Sequence, residues 1–178
     1  WLQRSKDAAD FVLDRFVDDN GVFREKITSA KHNVDDNLTA CRAFNLLYHF
    51  TGDDKYHRAA ERALSFVATA NGPTPAATVQ AGLLLAKTEL SESPIHVVIV
   101  ATKGDAKGKA LFAAALALPG WYKRVEWWDR AEGKLPHHDV DYPWIGRPAA
   151  FVCTGTICST PQFEAERIPI VLKKMQSR

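Results

Sequence analysis

The sequence predicts a mainly α chain with a small α/β part: helical hairpins over residues 1–92, then a β-α-β unit over residues 93–178. Three observations lead there. Ala8, Phe11, Val12 and Phe16 open a pattern of apolar residues at helical spacing that runs through the first half. That pattern breaks at Ser91-Glu92-Ser93-Pro94. Just beyond, His96-Val97-Val98-Ile99-Val100-Ala101 is a β-branched run of the kind found in strands buried on both faces.

The first helix is expected to stop at Asp18-Asp19-Asn20-Gly21, where glycine tolerates a positive φ, and Val22-Phe23 reads as a short extended piece. The next helix opens at Asp36 or Asn37, whose side chains accept orphan backbone N–H groups. It runs through Ala40, Phe44, Leu47 and Tyr48 to Thr51-Gly52. Asp53 caps a further helix with Tyr56, Ala60, Leu64 and Val67 on one stripe, so residues 37–69 read as an αα-hairpin. Thr74, with Pro75 at the first helical position, starts a helix over 76–90 that is apolar nearly all round and needs cover on several sides.

Past the break, Thr102–Gly108 leads from the first strand into a helix over Lys109–Leu118, closed by Pro119-Gly120. Lys123–Trp128 is a second strand, expected to lie parallel to the first. Ala149–Thr154 and Thr156–Ser159 make a hairpin around Gly155. The tail from Gln162 is amphipathic but holds Pro169, which breaks or kinks a helix.

Composition narrows the function classes. With 23 basic and 21 acidic residues the net charge is +2, too balanced for a nucleic-acid or membrane surface as the main partner. The longest apolar stretches, His96–Ala101 and Leu111–Pro119, fall far short of the roughly 20 residues of a membrane span. Arg4, Lys6, Asp7 and Asp10 interrupt any apolar leader, and a chain opening at Trp1 reads as a fragment or processed product. Three cysteines are an odd number in a chain too large to need staples, which points to a reducing, cytoplasmic setting.

Cys153 and Cys158 stand at C-x4-C spacing. They are candidates for a disulfide across the hairpin or for half a metal site, with His137, His138 and Asp139 as further ligands. The favoured reading is two small reduced cysteines packed in or beside the strands, and Cys41 lies on the apolar side of its helix. Thr102–Lys109 occupies the place where α/β proteins bind phosphate, yet matches neither G-x-G-x-x-G nor G-x-x-x-x-G-K-[ST]. Its lysines read as solvated, and no cofactor is assigned. Trp121, Tyr122, Trp127, Trp128, Tyr142 and Trp144 are dense in one region. Packing is the favoured role for them; Trp127 and Trp128 are also candidates for stacking on a sugar or anchoring a partner.

Several segments in order carry a family resemblance: Phe44-Asn45-Leu46-Leu47-Tyr48-His49-Phe50-Thr51-Gly52-Asp53, Tyr56-His57-Arg58-Ala59-Ala60-Glu61-Arg62-Ala63, His96–Val100, Tyr122-Lys123-Arg124-Val125-Glu126-Trp127-Trp128-Asp129, and Ala150-Phe151-Val152-Cys153 with Cys158. Over roughly residues 1–162 the chain resembles the C-terminal region of the spermatogenesis-associated protein 20 family, whose bacterial members are called thioredoxin-domain-containing proteins. The resemblance implies a larger parent: a thioredoxin-like domain, then an (α/α)6 toroid of the six-hairpin glycosidase type. This chain would hold the terminal αα-hairpins of that toroid and a β-α-β appendage. The thioredoxin-like domain and the first hairpins would be its missing partners. A redox or carbohydrate-processing role would belong to the parent, and this chain would be its structural end.

In such a toroid, inner helices start near the cavity. Asp35 and Asp36 are therefore candidate acid and base, and Asn37 a candidate substrate contact. Helix capping is the favoured role for all three. A toroid cut open should expose apolar surface along residues 8–16 and 38–50 and tend to self-associate.

Overall fold

A computed structural model describes residues 1–70, 77–137 and 139–177. The chain divides into two compact units, Trp1–Glu92 and Ser93–Arg178.

The first unit is helical: α1 (Leu2–Phe16), α2 (Val34–Thr51), α3 (Asp54–Ala70) and α4 (Ala77–Ser91). α2 and α3 turn back on each other at Gly52, which sits at φ 69° and donates its N–H to Tyr48 O. Between them lie Leu38, Cys41, Phe44, Tyr56, Ala60, Ala63 and Val67, all buried. Phe23 stacks on Phe44 with ring centroids 5.2 Å apart. α1 packs against this core through the half-buried Ala9, Val12 and Leu13. Its Asp10 carboxylate accepts from the Tyr56 hydroxyl at 2.8 Å and pairs with Lys55 at 2.8 Å.

The second unit is a four-stranded mixed sheet in the order β2-β1-β3-β4, built from β1 (Ile95–Val100), β2 (Lys123–Trp128), β3 (Ala149–Thr154) and β4 (Ile157–Cys158). β1 and β2 are parallel, with Val98 opposite Glu126, and helix α5 (Ala106–Leu116) lies between them in sequence. β3 pairs antiparallel with β1, Val98 opposite Phe151. One face packs on α5 and on α6 (Arg167–Gln176) through Val97, Ile99, Leu111, Ala150, Val152, Ile168 and Leu172. On the other face Val98, Val100, Phe151 and Cys153 are covered by Tyr142, with Leu135, Val140 and Phe163 packed around them.

The expected toroid is corrected here. Among the described residues six α-helices accompany a four-stranded mixed sheet, an α/β fold with no sign of an (α/α)6 ring. Helical periodicity reports that a face is buried, not how many partners bury it or whether they close a ring. The stretch from α1 to α2 is extended at Phe23, as expected there. There Val17 bridges Phe23 and Arg24 bridges His32, so extended backbone joins the two helices.

Local expectations shift as well. The N-cap of α2 is Asn33, whose Oδ1 accepts from the N–H groups of Asp35 and Asp36; Asp36 and Asn37 lie inside the helix. α5 starts at Ala106, earlier than expected, because Asp105 caps it by accepting from Gly108 N–H at 2.8 Å. Pro169 neither breaks nor ends α6, because it falls in the first turn, where its missing N–H would have had no intrahelical partner. The cover expected all round α4 is incomplete: Ala86 is fully buried, but Leu84 and Leu85 are 60% and 38% exposed. The Thr74-Pro75 cap and the helix start at residue 76 lie outside the described residues.

Candidate functional site

Strand alternation builds a polar interior on one face of the sheet. On β2, Val125 and Trp127 point toward the helices, so Arg124, Glu126 and Trp128 point to the other face with His96 of β1 and Cys153 of β3. The segment between β2 and β3 lies over that face and lays Tyr142 across it. The result is a chain of polar contacts, buried except at its Asp139 end. His96 Nε2 lies 2.8 Å from Glu126 Oε2, and the same oxygen lies 2.6 Å from Arg124 Nε. Arg124 reaches Asp139 Oδ2 at 3.0 Å and donates to His137 O at 2.6 Å. At the other end the Tyr142 hydroxyl stands 3.3 Å from His96 Nδ1 and 3.6 Å from Cys153 Sγ. Arg124 is only 1% exposed, and Tyr142, His96 and Glu126 are all buried. Burial raises the Tyr142 hydroxyl above the ordinary tyrosine range, with the Asp139 charge adding to it, so the group stays protonated.

Cys153 and Cys158, directly opposite across the β3–β4 hairpin, are joined in a disulfide with Cα atoms 4.0 Å apart. This corrects the favoured reading of two reduced thiols. The disulfide across the hairpin, the alternative that the spacing also allowed, is the one the register realises. Cys153 is buried and Cys158 exposed. Among the described residues no group of three His, Cys, Asp or Glu side chains is placed to hold a metal ion, and His138 lies outside them. Cys41 is free and buried, and that burial pushes its thiol up to about 12, with Glu89 adding to the shift.

The carboxyl ends of the parallel strands open into a cavity of about 470 Å³ lined by Thr102, Trp128, Asp129, Arg130 and Trp144 among others. It is the position expected for an anion, yet the chain's own carboxylates hold the donors there. Asp129 Oδ2 accepts from Lys103 N–H at 2.6 Å and its Oδ1 from Ala131 N–H at 3.0 Å. Those two backbone donors hold the Asp129 carboxyl below the ordinary range. Asp105 occupies the N-terminus of α5 in the same way.

The two candidate tryptophans go to opposite faces of the sheet. Trp127 donates from Nε1 to Ala101 O at 2.8 Å and packs on Phe112 on the helix side. Trp128 donates to Gly133 O at 2.7 Å and lines the cavity beside Trp144. They make no joint platform. In the helical unit Asp35 and Asp36 are exposed in the first turn of α2, where negative charge favours the helix dipole. Asn37 is fully buried and clamps the chain. It accepts from Phe23 N–H at 3.0 Å and donates to Phe23 O at 2.9 Å and Asn33 O at 2.8 Å. Fully buried, with both amide hydrogens engaged inside the chain, it holds the 17–33 stretch to α2.

Between α1 and α2 lies an open groove of about 690 Å³. Trp1, Val12, Leu46, Leu47 and Phe50 are among its lining residues, and Ser5 is the only polar one. Among the described residues no helix is long and apolar enough to cross a membrane.

The buried chain from Arg124 to Cys153 was missed in the sequence, although a signal was there. Arg124 and Glu126 alternate with Val125 and Trp127, which marks a strand with one polar inner face. No family model, curated protein or solved structure matches this chain.

Proposed function

We propose that this chain is the C-terminal, noncatalytic portion of a larger cytoplasmic, thioredoxin-domain-containing protein, and that its helical unit docks against the regions preceding it in that parent. One observation carries the reading: a groove of about 690 Å³ whose lining is apolar except for Ser5. An uncovered apolar groove of this kind marks a surface built to be buried. Leu84 and Leu85 on the outer side of α4 add exposed apolar area in the same unit. The resemblance to the spermatogenesis-associated protein 20 family supplies the occupant, the parent's own N-terminal regions with their thioredoxin-like domain.

The test is light scattering and hydrophobic-dye fluorescence on this 178-residue chain and on its Leu47→Glu variant. Self-association and strong dye emission, both reduced by the substitution, are the expected result. A monodisperse monomer with little dye emission would overturn the reading.

A further inference from the structure

The Cys153–Cys158 bridge closes a loop of four intervening residues between strands that already pair at Thr154 and Ile157. A disulfide restrains the unfolded chain less the shorter its loop, so holding this hairpin is a small part of what the bond can do. Its two sulfurs sit in opposite surroundings: Cys158 is exposed on the two-residue edge strand β4, and Cys153 is 4% exposed beneath Tyr142. Such asymmetry directs exchange, because attack falls on the accessible sulfur and the other sulfur leaves as a thiolate.

A buried polar chain is costly, and apolar residues would pack the same face without it. Here the chain ends on the leaving sulfur. The Tyr142 hydroxyl stands between Cys153 Sγ at 3.6 Å and His96 Nδ1 at 3.3 Å, and His96 is held from behind by Glu126 at 2.8 Å. A rotation of one hydroxyl hydrogen moves its hydrogen bond from the imidazole to the sulfur.

We propose that Cys153–Cys158 is a redox-active site for thiol–disulfide exchange with a dithiol, in which Cys158 is the sulfur attacked, Cys153 the sulfur that leaves, and Tyr142 the positioning residue that stabilises it. A thiolate of the dithiol attacks Cys158 Sγ and forms a mixed disulfide. The Sγ–Sγ bond breaks, and its electron pair stays on Cys153 Sγ, to which Tyr142 O–H donates. The second thiolate of the dithiol then attacks its partner sulfur in the mixed disulfide and releases Cys158 as a thiolate. The two protons given up by the dithiol end on the two cysteine sulfurs. The dithiol becomes a disulfide, and two electrons pass to the protein.

The experiment is reduction of the intact folded chain by dithiothreitol, quenched with acid at timed points, then alkylation under denaturing conditions and mass spectrometry, with circular dichroism of the unquenched sample recorded in parallel. Cys153 and Cys158 should be found reduced together while the circular dichroism of the folded chain is unchanged. Tyr142→Phe, which keeps the ring and removes the hydroxyl, should slow reduction about tenfold, the scale of one hydrogen bond to a charged group. A second measurement does not depend on that variant: with Cys153→Ser, 5,5′-dithiobis(2-nitrobenzoate) should label Cys158 in the folded protein, whereas Cys153 in Cys158→Ser should stay unlabelled. Reduction that proceeds only as fast as the chain unfolds, an unchanged rate in Tyr142→Phe, or preferential labelling of Cys153 would each overturn the proposal.

Discussion

Glu89 of α4 is gripped by Arg42 of α2 in a two-bond fork, Nε to Oε2 at 2.7 Å and Nη2 to Oε1 at 2.8 Å. Glu89 is 3% exposed, so the fork is a charge-assisted pair in a buried setting. The fork draws the Arg42 guanidinium up from its ordinary value. Arg42→Ala removes both bonds of the fork from a buried carboxylate and should destabilise the chain by about 2 kcal/mol, below the fully buried case because Arg42 is a third exposed. Urea unfolding of the variant against the parent measures it. Equal midpoints would mean that water replaces the guanidinium.

Asn37 and its acidic neighbours separate structural from catalytic roles. Asn37→Ala leaves the Phe23 N–H and C=O without their side-chain partner in a buried site and should cost about 2 kcal/mol. Asp35→Asn and Asp36→Asn touch only the exposed first turn and should each cost about 0.5 kcal/mol or less. Thermal denaturation of the three variants checks the order. A larger loss in either aspartate variant would show that its charge does more than favour the helix dipole.

Gly108 is a packing glycine, not a turn glycine. A Cβ there would stand 2.8 Å from the Trp127 ring and 2.9 Å from Ala101 Cβ. Both neighbours are fixed, Trp127 by its bond to Ala101 O and Ala101 by its place beyond β1. Gly108→Ala should therefore destabilise the sheet unit by about 1–3 kcal/mol despite alanine's better helix propensity. Tryptophan fluorescence during denaturation reports it. A stabilised variant would mean that α5 moves away from the sheet at no cost.

Acid should loosen α1 through Asp10. The hydrogen bond from Lys55 holds the Asp10 carboxyl below its ordinary value, against a smaller opposing effect of burial, and Tyr56 adds to the lowering. A depressed folded-state value means that this stability is present above the unfolded carboxylate pKa of about 3.9 and is lost as pH falls through the folded value. The Tyr56 hydroxyl, pushed up to about 12 by burial and by its bond to Asp10, stays protonated throughout. The urea midpoint of the parent should fall between pH 6 and about pH 3 by more than that of Asp10→Asn. Parallel pH profiles would show that the Lys55 and Tyr56 contacts do not hold in solution.

Much of the local structure was legible. The stripes through Phe44, Leu47, Tyr56, Ala60 and Val67 and the β-branched run His96–Val100 name helices and a strand, because burying one face imposes a period that the sequence must carry. Cap positions were less legible: Asn33 lies three residues before the expected start of α2, and several Asp and Asn residues nearby were equally able to cap. Of the candidate site residues, only Cys153 and Cys158 were named as possible partners, as one of several alternatives. Asn37 reads like a cap until Phe23 is seen folded against it, fourteen positions away in the chain.

By itself the sequence determined which segments are helix or strand and where their period changes, near Pro94, because local periodicity and turn chemistry are short-range properties. Only the tertiary structure decided how those segments combine. Among the described residues the helices show no sign of a toroid, and amphipathic stripes do not encode closure either way. The strand register sets Cys153 against Cys158, and the segment between β2 and β3 brings Tyr142 to that bond. The C-x4-C spacing allowed the bridge but left it open, because register is set by packing a whole sheet face, and the Tyr142 contact joins positions that no local pattern links.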